Sequence, residues 1–206
     1  MPRLPDAPDL EWTDEGTPRA RAFGDVYYSR GGGLAETQAV FLAGCGLPGA
    51  WEGRRLFTIL ELGFGAGLNA LAVWRLWRAR RSPPSLLHMI SIEASPMSAA
   101  DAARAHAAFP EISDLSAALV ARWPAHAFGA QRLWFEADGF ALTVVHGDAR
   151  KVLARLEAQA DAIFLDGFAP DRNPAMWSDE AMAAAARCAA PGARLASYSV
   201  AGAVRR

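Results

Sequence analysis

Leu56-Phe57-Thr58-Ile59-Leu60-Glu61-Leu62-Gly63-Phe64-Gly65-Ala66-Gly67 is the stretch that decides how this chain folds. Its first seven residues form an apolar run rich in β-formers, which predicts a strand buried on both faces. A glycine turn follows. Leu68 to Arg81 then has a helical pattern, with Leu71, Trp74 and Leu76 inward and arginines outward. Glycines let backbone approach a ligand closely, and a helix start offers free N–H groups.

The alternation continues outward from this unit. Leu86 to Glu93 reads as a second buried strand that ends on an acid. Ser95-Pro96 predicts a helix start, with the helix running to about Phe109. A further helix over 111–126 carries Ile112, Leu115, Leu119 and Trp123 on one stripe. Asp138-Gly139 between two β-like runs, 131–135 and 140–145, predicts a hairpin. Beyond it come a helix over 149–158, a strand over 161–166, and a helix from the Ser178 cap to about Ala189. After the Pro191-Gly192 turn, a strand runs from Arg194 to Val200. Upstream, residues 1–33 read as short strands or ordered loop and 34–46 as a helix. Repeated strand–helix alternation predicts an α/β, Rossmann-like fold with a mostly parallel, doubly wound sheet. On this reading residues 1–50 are an N-terminal extension with the first helix, and 51–206 are the core. Ligands of such sheets bind beyond the carboxyl ends of the strands.

Composition narrows the function classes. The chain has 206 residues, a formal net charge of −1 and 52% hydrophobic residues. That excludes a disordered protein and a polybasic nucleic-acid module. A chain of this length buries roughly two thirds of its unfolded surface. Cys45 and Cys188 stand far apart, and His88, His106, His126 and His146 show no metal-ligand spacing, so no metal is expected. No apolar leader and no run near ~18 apolar residues occurs, so a cytoplasmic location without a membrane partner is expected.

The strand ends carry the chemistry. A dinucleotide-binding G-x-G-x-x-G would place glycine at 68, where Leu68 stands. The spacing is acid-x-G-x-G-x-G, which resembles that of S-adenosylmethionine-dependent methyltransferases of class I. A pyrophosphate wants only donors, whereas the methionine end of adenosylmethionine carries an ammonium that wants a carboxylate. Glu61 is placed to orient that end, with Gly63, Gly65 and Gly67 as the cradle. Glu93 follows Gly67 by 93 − 67 = 26 residues and is placed to accept hydrogen bonds from ribose hydroxyls. In Gly147-Asp148-Ala149, a carboxylate can accept from the adenine amino group, and Asp148 reads equally well as a helix N-cap. Asp166 ends the fourth strand, nearest the transferred methyl, and suggests a nitrogen or oxygen nucleophile. The following loop, with Phe168, Pro170 and Trp177, reads as a cover for a planar base or as a packing plug.

Several segments occur in a familiar order: Phe23-Gly24-Asp25-Val26-Tyr27-Tyr28-Ser29, Gly33-Leu34-Ala35-Glu36-Thr37, Glu61 to Asn69, Phe164 to Pro170, Asn173-Pro174, Met176-Trp177 and Ala201 to Arg206. Together they resemble the methyltransferase domain of the MnmC family, the bifunctional tRNA 5-methylaminomethyl-2-thiouridine biosynthesis proteins. The resemblance implies methylation of 5-aminomethyl-2-thiouridine at the tRNA wobble position. It implies adenosylmethionine as cofactor, with Asn69 and Ala149 joining Glu61, the glycines, Glu93 and Asp148 at its site. It also implies tRNA as partner and a linked oxidase domain that uses FAD, for which this chain has no room. The opening segment, with Tyr27, Tyr28, Glu36 and Thr37, is expected to close over cofactor or substrate. The fold normally adds a helix and a hairpin after its fifth strand, so the last strands are expected to be missing here. Two other readings stay open: a small-molecule amine methyltransferase, and a non-catalytic module that binds adenosylmethionine or tRNA.

Overall fold

In the computed structural model, residues 6–29, 32–124 and 129–199 are described. His126, Val200 and the closing Ala201–Arg206 motif lie outside them. Three short strands come first: β1 (Leu10–Trp12), β2 (Pro18–Ala20) and β3 (Asp25–Val26), which form a small antiparallel sheet. Helix α1 (Gly33–Glu36) runs directly into a wider, π-helical stretch, Thr37–Leu42. The core follows as β4 (Leu56–Leu62), α2 (Leu68–Arg80), β5 (Leu86–Glu93), α3 (Ala99–His106), α4 (Ser113–Val120), β6 (Gly129–Phe135), β7 (Phe140–His146), α5 (Ala149–Leu153), β8 (Ala160–Leu165), α6 (Asp179–Arg187) and β9 (Ala189–Ser197).

The main sheet has the order β6-β7-β5-β4-β8-β9. All neighbours pair in parallel except β6 with β7, the expected hairpin. Gly139 makes that turn possible, because its φ of 56° is one that side chains resist. The sheet is therefore mostly parallel and doubly wound, as the alternation predicts. The period of two along β4 serves both faces: Phe57 and Ile59 enter one core cluster with α2, Leu60 and Leu62 the other with α6. Full burial of such side chains contributes about 1.5–3 kcal/mol each. The same alternation sends Glu61 to the α2 side. From β4 the chain winds outward through β5 to β7, then crosses back to β8 on the other flank. The reversal opens a crevice above β4, the place where such sheets hold ligands.

Four boundaries differ from the sequence reading. Helix α3 starts at Ser98, whose hydroxyl accepts the Asp101 N–H at 3.1 Å. Ser95 lies upstream of that cap and belongs to the exit from β5, its N–H donating to Glu93 Oε1 at 2.8 Å. The helix expected over 111–126 is a 3-10 turn, Pro110–Ile112, followed by α4. The helix expected to 158 stops at Leu153. β9 begins before Pro191-Gly192 and absorbs them as a register shift against β8.

Candidate active site

A cavity of about 650 Å³ lies over the carboxyl ends of β4, β5, β7 and β8. Its floor is the glycine turn after β4. Gly63, Gly65 and Gly67 all have positive φ. A Cβ on Gly63 would sit 1.7 Å from the backbone oxygen of Asp166, so only glycine lets the β4 and β8 ends come this close. Gly63 and Gly65 line the cavity, whereas Gly67 packs beneath Phe64 as the left-handed cap of α2.

Acids stand at the strand ends around it. Glu93, ending β5, accepts the Gly65 N–H through Oε2 and the Ser95 N–H through Oε1, both at 2.8 Å. Those bonds fix the carboxylate at the rim of the glycine turn and leave each oxygen a further lone pair. Burial raises its pKa, against the pull of the surrounding backbone N–H groups. Asp148, after β7, caps α5 by accepting the Arg150 N–H at 2.9 Å, and Arg150 holds its carboxylate below the usual range. It and Ala149 also line the cavity, so both roles expected of Asp148 are geometrically compatible.

Asp166 faces the cavity at the end of β8. Its pKa rises to about 7, first through burial and then through the nearby Glu36 charge. Asn69, in the first turn of α2, donates to Asp166 Oδ2 at 2.5 Å and to Glu61 Oε1 at 2.8 Å. Its amino group is therefore fully used between two carboxylates. Glu61 does not reach the cavity. It is 1% exposed, receives the Ser91 hydroxyl, and burial raises its pKa to about 8. The alternation that buries Ile59 places Glu61 behind Asn69, which lines the cavity in its stead.

The expected cover is partly as read. Phe168 lines the cavity, stacked on Phe23 with centroids 4.6 Å apart and touched edge-on by Tyr27. Tyr28 also lines it, and packs on Phe109. Pro170 and Trp177 are not at the wall. Trp177 is 6% exposed within the α6 core cluster, and its indole N–H donates to the Phe168 carbonyl at 2.9 Å. It shapes the loop from behind, as a ring buried on all sides must. Three wall residues were not anticipated. Phe23 and Asp25 close the small sheet onto the Phe168 loop, Asp25 Oδ2 accepting the Ala169 N–H at 3.1 Å. Tyr198, just past β9, donates its hydroxyl to the Gly167 carbonyl. The Phe23-Gly24-Asp25 run and the position of Tyr198 after a strand were the available signals.

The lining is electrostatically one-sided. Asp6, Asp9, Asp25, Glu36, Glu93, Asp148 and Asp166 contribute to it, and no arginine, lysine or histidine does among the described residues. A pyrophosphate would be repelled, whereas a sulfonium, an ammonium or an amine would find its counter-charges. The glycine cradle and the ring of acids therefore fit S-adenosylmethionine and not a dinucleotide. Among the described residues, no group of three or more metal-binding side chains occurs and no helix is long and apolar enough to cross a membrane. Fold and site together place the chain among the S-adenosylmethionine-dependent methyltransferases.

Comparison with known proteins agrees. The family model described as S-adenosyl-L-methionine-dependent methyltransferase matches residues 110–206. The tRNA 5-methylaminomethyl-2-thiouridine biosynthesis bifunctional protein MnmC of Maricaulis maris is 49% identical over 201 residues, 98% of this chain and 34% of that protein. Its namesake in Cupriavidus necator is 46% identical over 206 residues, all of this chain and 31% of that protein. The crystal structure of MNMC2 from Aquifex aeolicus superposes with a TM-score of 0.70 at 27% identity, covering 97% of this chain and 62% of that one. The chain belongs to the family of methyltransferase domains carried by MnmC proteins. It spans about a third of the length of the curated relatives it matches.

Proposed function

We propose that this domain methylates the primary amine of 5-aminomethyl-2-thiouridine at the wobble position of tRNA, using S-adenosylmethionine. The observation that carries the reading is a cavity whose charged lining, among the described residues, is all acidic, with Asp166 part of it. The bound cofactor supplies a methyl group on a positively charged sulfur. Glu93 accepts hydrogen bonds from its ribose hydroxyls, Asp148 accepts from the adenine amino group, and the glycine turn admits its methionine end. Asp166 accepts the amine proton: the N–CH₃ bond forms as the S–CH₃ bond breaks, and the proton passes from nitrogen to the carboxylate. A carboxylate with a pKa of about 7 suits that task at neutral pH. Most of the acceleration comes from holding amine and methyl in line. Phe168, stacked on Phe23 at the mouth, covers the planar base. A linked oxidase domain that uses FAD and generates the amine completes the proposal, in keeping with the length of the relatives, and a cytoplasmic location is proposed with it.

The test is methyl transfer to tRNA that carries the aminomethyl group, run beside small primary amines. Asp166→Ala is expected to lower kcat by about 100-fold or more while adenosylmethionine affinity, read by calorimetry, stays within about threefold. Equal transfer to small amines would replace tRNA as substrate. Binding without any transfer would make the domain a sensor, and an unimpaired Asp166→Ala would remove the base.

A further inference from the structure

The proposed reaction needs Asp166 held at one angle, and the wall of α1 holds the means. Thr37, where the helix widens into its π-helical stretch, is 3% exposed. Its hydroxyl lies 2.6 Å from Asn69 Oδ1 and 2.9 Å from the Gly33 carbonyl. Gly33 brings the two helices together: a Cβ there would stand 2.8 Å from the Leu68 side chain. The Asn69 amide has two possible orientations. In one, its amino group faces Asp166 and Glu61 while its oxygen faces Thr37. In the other, the amide oxygen is pressed against the carboxyl groups of Asp166 and Glu61, and Asp166 loses its donor. The hydroxyl has one proton, and giving it to the Asn69 oxygen selects the first orientation.

We propose that Thr37 is a positioning residue for methyl transfer, acting through Asn69 to aim and tune the Asp166 carboxylate. This rests on Asp166 being the proton acceptor. π-Helical turns inside helices often mark such functional positions, and here the widening starts at the residue that makes the contact. Asn69 donates to the charged form of Asp166 and so favours ionisation. The other groups that bear on Asp166 are Glu36 from α1, Glu61 from β4 and Tyr198 beyond β9; Glu93 at the end of β5 bears on Glu61. None of them is a cation, so the Asn69 amino group is the donor that offsets these acids, and the amide orientation has leverage on Asp166.

Thr37→Val removes the hydroxyl and keeps the branched shape, whereas Thr37→Ser keeps the hydroxyl. The two would be compared with the natural sequence, in the chain's full natural length, by kcat for tRNA methylation across about pH 5.5 to 9. Thr37→Val is expected to lower kcat about tenfold near neutrality and to move the acidic limb of the profile to higher pH, with the KM for adenosylmethionine within about twofold. Thr37→Ser is expected to restore the natural profile. A Thr37→Val profile that superimposes on the natural one, or is lowered equally at every pH, overturns the inference. Calorimetric binding of adenosylmethionine by Thr37→Val shows that it is folded. An Asp166→Ala variant run alongside separates the two claims: if it retains turnover, the reading of Asp166 fails, whereas a dead Asp166→Ala beside an unshifted Thr37→Val removes only the role of Thr37.

Discussion

Replacing Glu61 by glutamine should make the protein increasingly more stable than the natural chain as the pH rises, although it removes a buried, hydrogen-bonded carboxyl group. Glu61 is 1% exposed, and burial lifts its pKa from the ordinary 4.5 to about 8. Between those values the folded protein keeps a proton that the unfolded chain has released. The unfolded state binds fewer protons, so stability falls as pH rises from about 4.5 to about 8 and is level outside that window. At pH 7 the gap from 4.5 is 2.5 units, and at about 1.4 kcal/mol per unit it amounts to about 3 kcal/mol. Glutamine has nothing to release. Its oxygen can accept from Asn69 and its amino group can donate to Ser91, the two partners Glu61 has now. Glu61→Gln should therefore be up to about 3 kcal/mol more stable at pH 7 and close to the natural chain at pH 4. For a domain of this size that raises the melting temperature by roughly 6–12 °C at pH 7. Thermal unfolding of both proteins at a series of pH values measures it. A difference that does not change between pH 4 and pH 8 would refute the reasoning, because it would mean that Glu61 is ionised inside the fold.

Gly63→Ala should destabilise the protein by about 2–5 kcal/mol in denaturant unfolding, because the new Cβ would meet the Asp166 backbone at 1.7 Å and the φ of 96° is strained for alanine. Gly65→Ala, whose Cβ would meet only the Tyr27 ring at 3.1 Å, should cost less stability and show itself in weaker adenosylmethionine binding. Glu93→Gln should weaken that binding by about 10- to 100-fold in calorimetry, the worth of hydrogen bonds to a charged group. Adenosylmethionine affinity should tighten slightly, by no more than about threefold, as pH rises through about 7, because a cation binds better once Asp166 has lost its proton. A flat profile for Asp166→Asn beside a sloping natural one would assign that dependence to Asp166.

The parts of this molecule legible in the sequence are those where short-range rules act. The β4 run, the glycine turn and the Asp138-Gly139 hairpin follow from local geometry, and the acids at strand ends follow from the topology that the alternation demands. The misread parts depend on partners far along the chain. Glu61 looked like a ligand contact, and only the packing of α2 shows Asn69 standing in front of it. Trp177 reads in the sequence as a cover or as a packing plug, and only the α6 cluster that buries its ring decides for the plug. Ser95 looked like a helix cap, but the chain is still leaving β5 there, bonded to Glu93, and Ser98 caps the helix. The opening strands have two or three residues each, too few for a period to appear.

Those opening strands have a consequence for how the chain assembles. Phe23 and Asp25 are held by Phe168 and by the amide of Ala169, a separation of 144 residues for the latter contact. Loop closure over that span is slow relative to forming a hairpin or a helix. The small sheet leaves the ribosome ahead of the central strands and finds part of its seat on α3, where Arg104 lies over the Trp12 ring. The rest of that seat, the Phe168 loop, is completed only when β8 has emerged, so this side of the cavity is synthesised first and closed last.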